Sequence, residues 1–305
     1  MASTTTAIPY GRPPHGYRLP DATRLGQVTL QVADLGRSIA YYEQVIGLRV
    51  LDRSGSTAVL GPAASEKAAP LVEIRERPGV RPVRHLGRLG LYHFAILLPE
   101  RAALGRFIAH LGGLGAHAGM SDHLVSESVY LNDPDGLGIE IYADRPRSAW
   151  NTRGRELVMA TEPLDVEDLV ADGAGTPWTG APASTVLGHV HLHVSSLTEG
   201  ASFYHQGLGF DEVVWSYPGA LFLSAGGYHH HLGLNTWARG AAPAGVDDAR
   251  LLEWEILVPS PPDVAGALAS LAETGAVVES TPTGGLAHDP WGVEVRFRSV
   301  DKQAL

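Results

Sequence analysis

The sequence predicts an α+β protein made of tandem βαβββ units, four in all, pairing into two open-barrel modules. Three self-matches in the same order predict it. Leu25-Gly-Gln-Val-Thr-Leu-Gln-Val-Ala-Asp-Leu35 returns as Leu187-Gly-His-Val-His-Leu-His-Val-Ser-Ser-Leu197. Ser38-Ile-Ala-Tyr-Tyr42 with Ile46-Gly-Leu48 returns as Ala201-Ser-Phe-Tyr204 with Leu208-Gly-Phe210. Asp133-Pro-Asp-Gly136 before Ile139-Glu-Ile141 returns as Asp289-Pro-Trp-Gly292 before Val293-Glu-Val295. Matches lying about 160 residues apart mark a duplication.

Each copy splits again. Val28–Val32 alternates as a strand, Asp34 is placed to cap a helix carrying Ile39, Tyr42 and Val45, and Gly47 ends that helix. Short strands follow. The pattern restarts at His93–Leu98, with a helix from Arg101 to Leu111 carrying Leu104, Phe107 and Ile108 on one face. Gly and Pro turns then precede a last strand, Ile139–Tyr142. The expected division is a flexible N-terminal tail at 1–22, a first module at 23–143, an ordered linker at 144–185 and a second module at 186–300. Pro146, Pro163, Pro177 and Pro182 break the rhythm of the linker, which has room for one short helix near Val166–Ala171.

An apolar fraction of 44% with 18% charged residues is that of a globular chain. A net charge of −10 argues against nucleic acid or an anionic membrane surface as partner. Without cysteine there is no disulfide, thiolate nucleophile or zinc–thiolate site. The start lacks the pattern of a signal peptide, and no run reaches the ~20 apolar residues of a membrane span. A cytoplasmic protein acting on a small molecule is expected, with assembly into a homo-oligomer left open.

Histidine carries the chemistry. Alternation in the strand after Leu187 puts His189, His191 and His193 on one face, while Val190, Leu192 and Val194 supply the packed face. Imidazole nitrogens need partners, so that face looks into something polar, with one of the three as a ligand. Tyr228-His229-His230-His231 adds a second cluster, and His230 alternates with Leu232 and Leu234. Glu294 sits between apolar neighbours, where a cation would favour its carboxylate. His189, His230 and Glu294 thus form a candidate facial triad for Fe(II), a set that Mn(II) or Zn(II) would also accept. Trp237 and Tyr228 are candidates for an aromatic wall, and Asp122-His123 could line a cavity in the first module.

The repeated βαβββ units, the Leu-Gly-His strand, the Tyr-His-His-His segment and the Asp-Pro-x-Gly turn before a glutamate resemble the vicinal oxygen chelate superfamily. The resemblance is to its two-module, catechol 2,3-dioxygenase-like group and runs from Leu25 to Phe297. It implies barrels with a metal inside, and an Fe(II)-dependent extradiol dioxygenase that takes O2 and a catechol-like substrate. His189 and Glu294 fall where that group places its first histidine and its glutamate. Glu253 stands at the second histidine position, and His230 where an acid/base histidine is usual. His230 is expected as the third ligand, with the alternative that Glu253 binds metal while His230 moves protons. Leu286 replaces an expected tyrosine, leaving His191, His193 and His288 to carry protons.

The first module offers Gln27, Glu73, His93 and Glu140 at the corresponding positions. That set resembles the metal site of glyoxalase I, an isomerase using Zn(II) or Ni(II). The alternatives to the dioxygenase are therefore a glyoxalase-like isomerase or lyase, or a non-catalytic binding or resistance protein.

Overall fold

The computed structural model describes residues 10–62 and 69–300. The first unit runs β1 (Arg24–Val32), α1 (Leu35–Tyr41), β2 (Arg49–Ser54), β3 (Thr57–Gly61) and β4 (Val72–Glu76). The second runs β5 (Gly90–Leu97), α2 (Arg101–Leu114), β6 (Gly119–Asp122), β7 (Ser126–Asn132) and β8 (Gly138–Asp144). A linker follows with β9 (Thr152–Arg153), β10 (Glu156–Leu157) and α3 (Val166–Asp172). The third unit is β11 (Val186–His193), α4 (Leu197–Gly200), β12 (Asp211–Val214), β13 (Ala220–Ser224) and β14 (Leu232–Asn235). The fourth is β15 (Arg250–Val258), α5 (Pro261–Glu273), β16 (Val278–Thr281), β17 (Gly284–His288) and β18 (Glu294–Ser299).

Local chemistry accounts for the element ends. The Asp34 carboxylate accepts from the Arg37 N–H at 2.8 Å, capping α1. Gly47 closes the helical stretch at φ 82°, a left-handed value that favours glycine. Leu104, Phe107, Ile108 and Leu111 of α2 and Val264, Ala267, Leu268 and Leu271 of α5 are buried, forming the apolar stripes of the two helices. Each such leucine or phenylalanine contributes about 1.5–3 kcal/mol by leaving water.

Both sheets have eight strands. One runs β16-β17-β18-β15-β1-β4-β3-β2 and the other β12-β13-β14-β11-β5-β8-β7-β6. Their seams are the antiparallel pairs β1–β15 and β5–β11. The fold is the tandem α+β arrangement that the sequence predicts, but the paired units are not chain neighbours. The first unit joins the fourth and the second joins the third, so each sheet takes one unit from each half of the chain. A site inside either sheet must therefore combine residues of both copies.

Residues 1–9 of the expected flexible tail lie outside the described residues. The remainder is packed, which corrects that expectation. The Tyr10 hydroxyl donates to the Gly227 carbonyl at 2.8 Å, Arg12 and Glu212 exchange backbone hydrogen bonds, and Leu19 is buried. In the linker, α3 covers Val166–Asp172 and packs on α2. No helix among the described residues is long and apolar enough to cross a membrane.

Candidate metal centre

In the second sheet β5 lies between β8 and β11. These three strands bring together His93, Glu140 and His189, all buried. The His189 Nε2 and Glu140 Oε2 atoms are 3.0 Å apart, and His93 Nε2 is 3.0 Å from the same oxygen. One ligand atom from each of the three lies within 4.8 Å of the others.

Two imidazoles and a carboxylate are the facial donor set of non-heme Fe(II), and Mn(II) or Zn(II) accept it too. The buried polar atoms support the fit. His93 Nε2 makes no well-directed hydrogen bond despite its short approach to Glu140, and Glu140 Oε1 has no partner. A buried carboxylate oxygen left unpaired costs free energy that a cation recovers.

The electrostatics agree. Burial lowers the pKa of His93 and of His189, against the opposing pull of Glu140, so both rings are neutral as ligands must be. For Glu140, burial pushes the carboxyl up, but contacts with His189 and His93 outweigh it and hold the group well below its ordinary range.

The triad lines a cavity of about 310 Å³. Aromatic rings wall it: Tyr92, Tyr217, Phe222 and Trp237. The linker contributes Met159, Ala160 and Thr161. Thr161 Oγ1 and the Tyr217 hydroxyl are hydrogen-bonded at 2.8 Å, and the Asp122 and Glu162 backbones bond reciprocally. The linker thus forms one side of the site.

Two candidate proton carriers flank the triad. His230 packs on His189 with ring centroids 4.0 Å apart, and burial, then His189 and His229, keep its pKa well below normal. Tyr130 lies 5.4 Å from the His93 ring, centroid to centroid. His123 Nδ1 is 2.6 Å from the Ala160 carbonyl, which can only accept, so Nδ1 holds the ring proton. Nε2 then accepts from the Tyr130 hydroxyl at 2.5 Å. Burial and the Glu140 carboxylate raise the Tyr130 pKa well above its normal value, leaving the hydroxyl a neutral donor.

Asn235 holds the other two histidines of β11. Its Nδ2 donates to His191 Nε2 at 2.9 Å, and its Oδ1 accepts from His193 Nδ1 at 2.7 Å. The three-histidine face of β11 is therefore real, with one member at the triad and two held in the cavity wall and behind it.

The structure does not bring the expected triad together. His189 and His230 are neighbours, but Glu294 lies on β18 in the other sheet, which corrects its assignment beside them. There Glu253 and Glu294 are paired across β15 and β18, and Arg296 bonds to Glu253 and reaches Glu294 at 3.3 Å. Burial and the Glu253 carboxyl push the Glu294 pKa up to about 7. His288 is half-exposed and 3.9 Å from Glu294. Gln27 and Glu73 belong to this sheet as well, with Gln27 Nε2 donating to Glu73 at 3.2 Å and Arg75 pairing with Glu73 at 2.6 Å. These carboxylates are neutralised by arginines rather than aimed at a cation. The four-residue set of Gln27, Glu73, His93 and Glu140 is accordingly split between the sheets.

Tyr228 stands behind His229 rather than in the cavity wall, and Trp237 is in the wall. Sequence reasoning missed Tyr130, although a signal existed. Tyr130 stands three residues before Asp133, as Leu286 stands three before Asp289. The tyrosine sought in the second copy is in the first.

Gly188 on β11 has no room for a side chain. A Cβ there would fall 1.7 Å from the Tyr142 hydroxyl oxygen. Gly188→Ala is expected to destabilise the chain by at least the ~1–3 kcal/mol typical of overpacking, read as a lower urea midpoint. An unchanged midpoint would show that Tyr142 moves aside freely.

The profile of the glyoxalase/bleomycin resistance protein/dioxygenase superfamily matches residues 24–141 and 186–297. The chain belongs to this superfamily. Among its members, a catechol-2,3-dioxygenase of Bacillus subtilis (strain 168) is 42% identical over 273 residues, covering 88% of this chain and 94% of that protein. Solved structures in the superfamily's neighbourhood share the fold. One from Bacillus subtilis subsp. subtilis str. 168 has a TM-score of 0.62 at 13% identity, covering 93% of this chain and 86% of that one. Glyoxalase I from Zea mays has a TM-score of 0.55 at 18% identity, covering 91% and 92%.

Proposed function

We propose that the chain is an extradiol-type dioxygenase whose metal is held by His93, Glu140 and His189, with Fe(II) as the expected ion. The observation that carries this reading is the convergence of those three donors from both halves of the chain on one aromatic-walled cavity. The relative named catechol-2,3-dioxygenase supports it. When bound, the ion supplies a chelation point for two vicinal oxygens and the redox chemistry that O2 requires. The reaction would break the ring C–C bond beside the hydroxyl-bearing carbons and place both oxygen atoms in the product.

The chain's residues supply the rest. Tyr92, Phe222 and Trp237 hold the flat ring and exclude water. Neutral His230 takes a proton from a substrate hydroxyl, and Tyr130 with His123 can return one on the His93 side. No observation favours the glyoxalase-like reading. Metal analysis together with oxygen uptake on a catechol tests the proposal: bound iron and uptake matched to ring opening are expected. Substrate turnover without oxygen consumption would overturn it.

The cavity also sets a charge preference. Its described lining residues include no Lys or Arg, and Glu140 is their one carboxylate. A ring-bound carboxylate would be buried beside the lining with no lysine or arginine to pair it, costing about 1–3 kcal/mol. That is roughly 10- to 100-fold in kcat/KM for 3,4-dihydroxybenzoate against 4-methylcatechol. Equal kcat/KM values would show that the carboxylate reaches solvent.

A further inference from the structure

A hydrogen-bonded line runs from the surface to the cavity behind His230. Asp144, partly exposed at the end of β8, accepts from His229 Nε2 at 2.8 Å and from the Tyr228 hydroxyl at 3.1 Å. Tyr228 uses its single proton there, so the Tyr142 hydroxyl, 2.6 Å away, donates to Tyr228. His229 Nδ1 lies 2.7 Å from His230 Nδ1, and His230 lines the cavity beside His189.

The proton positions along this line follow from what each group can do. A carboxylate only accepts, so His229 carries hydrogen on Nε2. Two ring nitrogens 2.7 Å apart share one hydrogen, on either His229 or His230. On His229 it would make that fully buried ring half of an ion pair with Asp144, whose desolvation is costly. On His230 it leaves both rings neutral.

We propose that Asp144 and His229 are positioning residues that fix His230 as its Nδ1–H tautomer, leaving Nε2 bare toward the cavity. Only that nitrogen can then accept a substrate proton. The opposite tautomer would present an N–H where an acceptor is needed and would stall the transfer. The consequence for catalysis rests on the reading of His230 as the proton carrier, but the tautomer itself does not. Because the line ends at a partly exposed carboxylate on the strand that carries Glu140, the metal donor and the proton acceptor are aligned by one element.

The test is 15N NMR of the full chain labelled at histidine and free of metal, with the His230 signals identified by their loss in His230→Gln. Wild type is expected to show a protonated Nδ1 and a bare Nε2 on His230. Asp144→Asn, whose amide can donate to His229 Nε2, is expected to reverse or mix the two forms, as is His229→Phe. For Asp144→Asn we expect kcat to fall roughly 10- to 100-fold with KM and metal content little changed. A wild-type His230 protonated on Nε2 would overturn the proposal. So would a His230 tautomer that stays the same in both variants. The expected tautomer in a chain that cleaves no catechol would leave this inference standing and remove the functional reading instead.

Discussion

Glu140→Ala is expected to lose its bound metal and with it ring-cleaving activity, whereas Glu294→Ala retains both. Glu140 is buried between two imidazole nitrogens, each 3.0 Å from the same carboxylate oxygen, and supplies the site's negative charge. Removing it leaves two neutral rings, a donor set too weak to hold a divalent ion against water. The loss should exceed the ~10–100-fold that deletion of an outer partner of a metal ligand costs. Glu294 lies in the other sheet, bound to Arg296 and beside Glu253. Its removal relieves a repulsion between two carboxyls and touches nothing at the triad. Metal content per chain and oxygen uptake on the two variants decide the matter. Metal lost from Glu294→Ala and kept by Glu140→Ala would move the centre to the first sheet.

His230→Gln is expected to keep its metal and to lower kcat by roughly 10²–10⁴-fold, the usual contribution of a positioned acid or base. His230 stands against the His189 ring, with its Nδ1 engaged by His229. On the proposed reading it exchanges protons with a molecule in the cavity while His93, Glu140 and His189 hold the metal. Glutamine can hydrogen-bond but cannot take the proton. KM should change less than kcat, because the aromatic wall is left in place. Loss of metal in this variant would instead make His230 a ligand, as its spacing in the sequence suggested.

Much of the protein is legible one element at a time. Strand alternation put His189, His191 and His193 on a polar face opposite Val190, Leu192 and Val194, and in the structure those three apolar residues lie in the core while His189 and His191 line the cavity. Asp34 and Gly47 bound the first helical stretch as their chemistry requires. His93, Glu140 and His189 were each recognisable as donors. Each was nonetheless grouped with residues from its own half of the chain, so Glu294 and Gln27 entered sets to which the fold does not admit them.

The sequence by itself determined the duplication, the four βαβββ units and the faces their side chains occupy, because these depend on repeats and on periods of a few residues. Only the tertiary structure decided that the second unit pairs with the third and the first with the fourth. Each of the four opening strands carries apolar residues able to pack in a sheet, and strand-to-strand hydrogen bonds are backbone bonds that carry little of the side-chain pattern. Any two of these strands could therefore form a seam on local grounds. The choice of β5 beside β11 rests on packing across the whole molecule. That choice collects His93, Glu140, His189, His230 and Tyr130 around one cavity, and leaves Glu253 and Glu294 to their arginine.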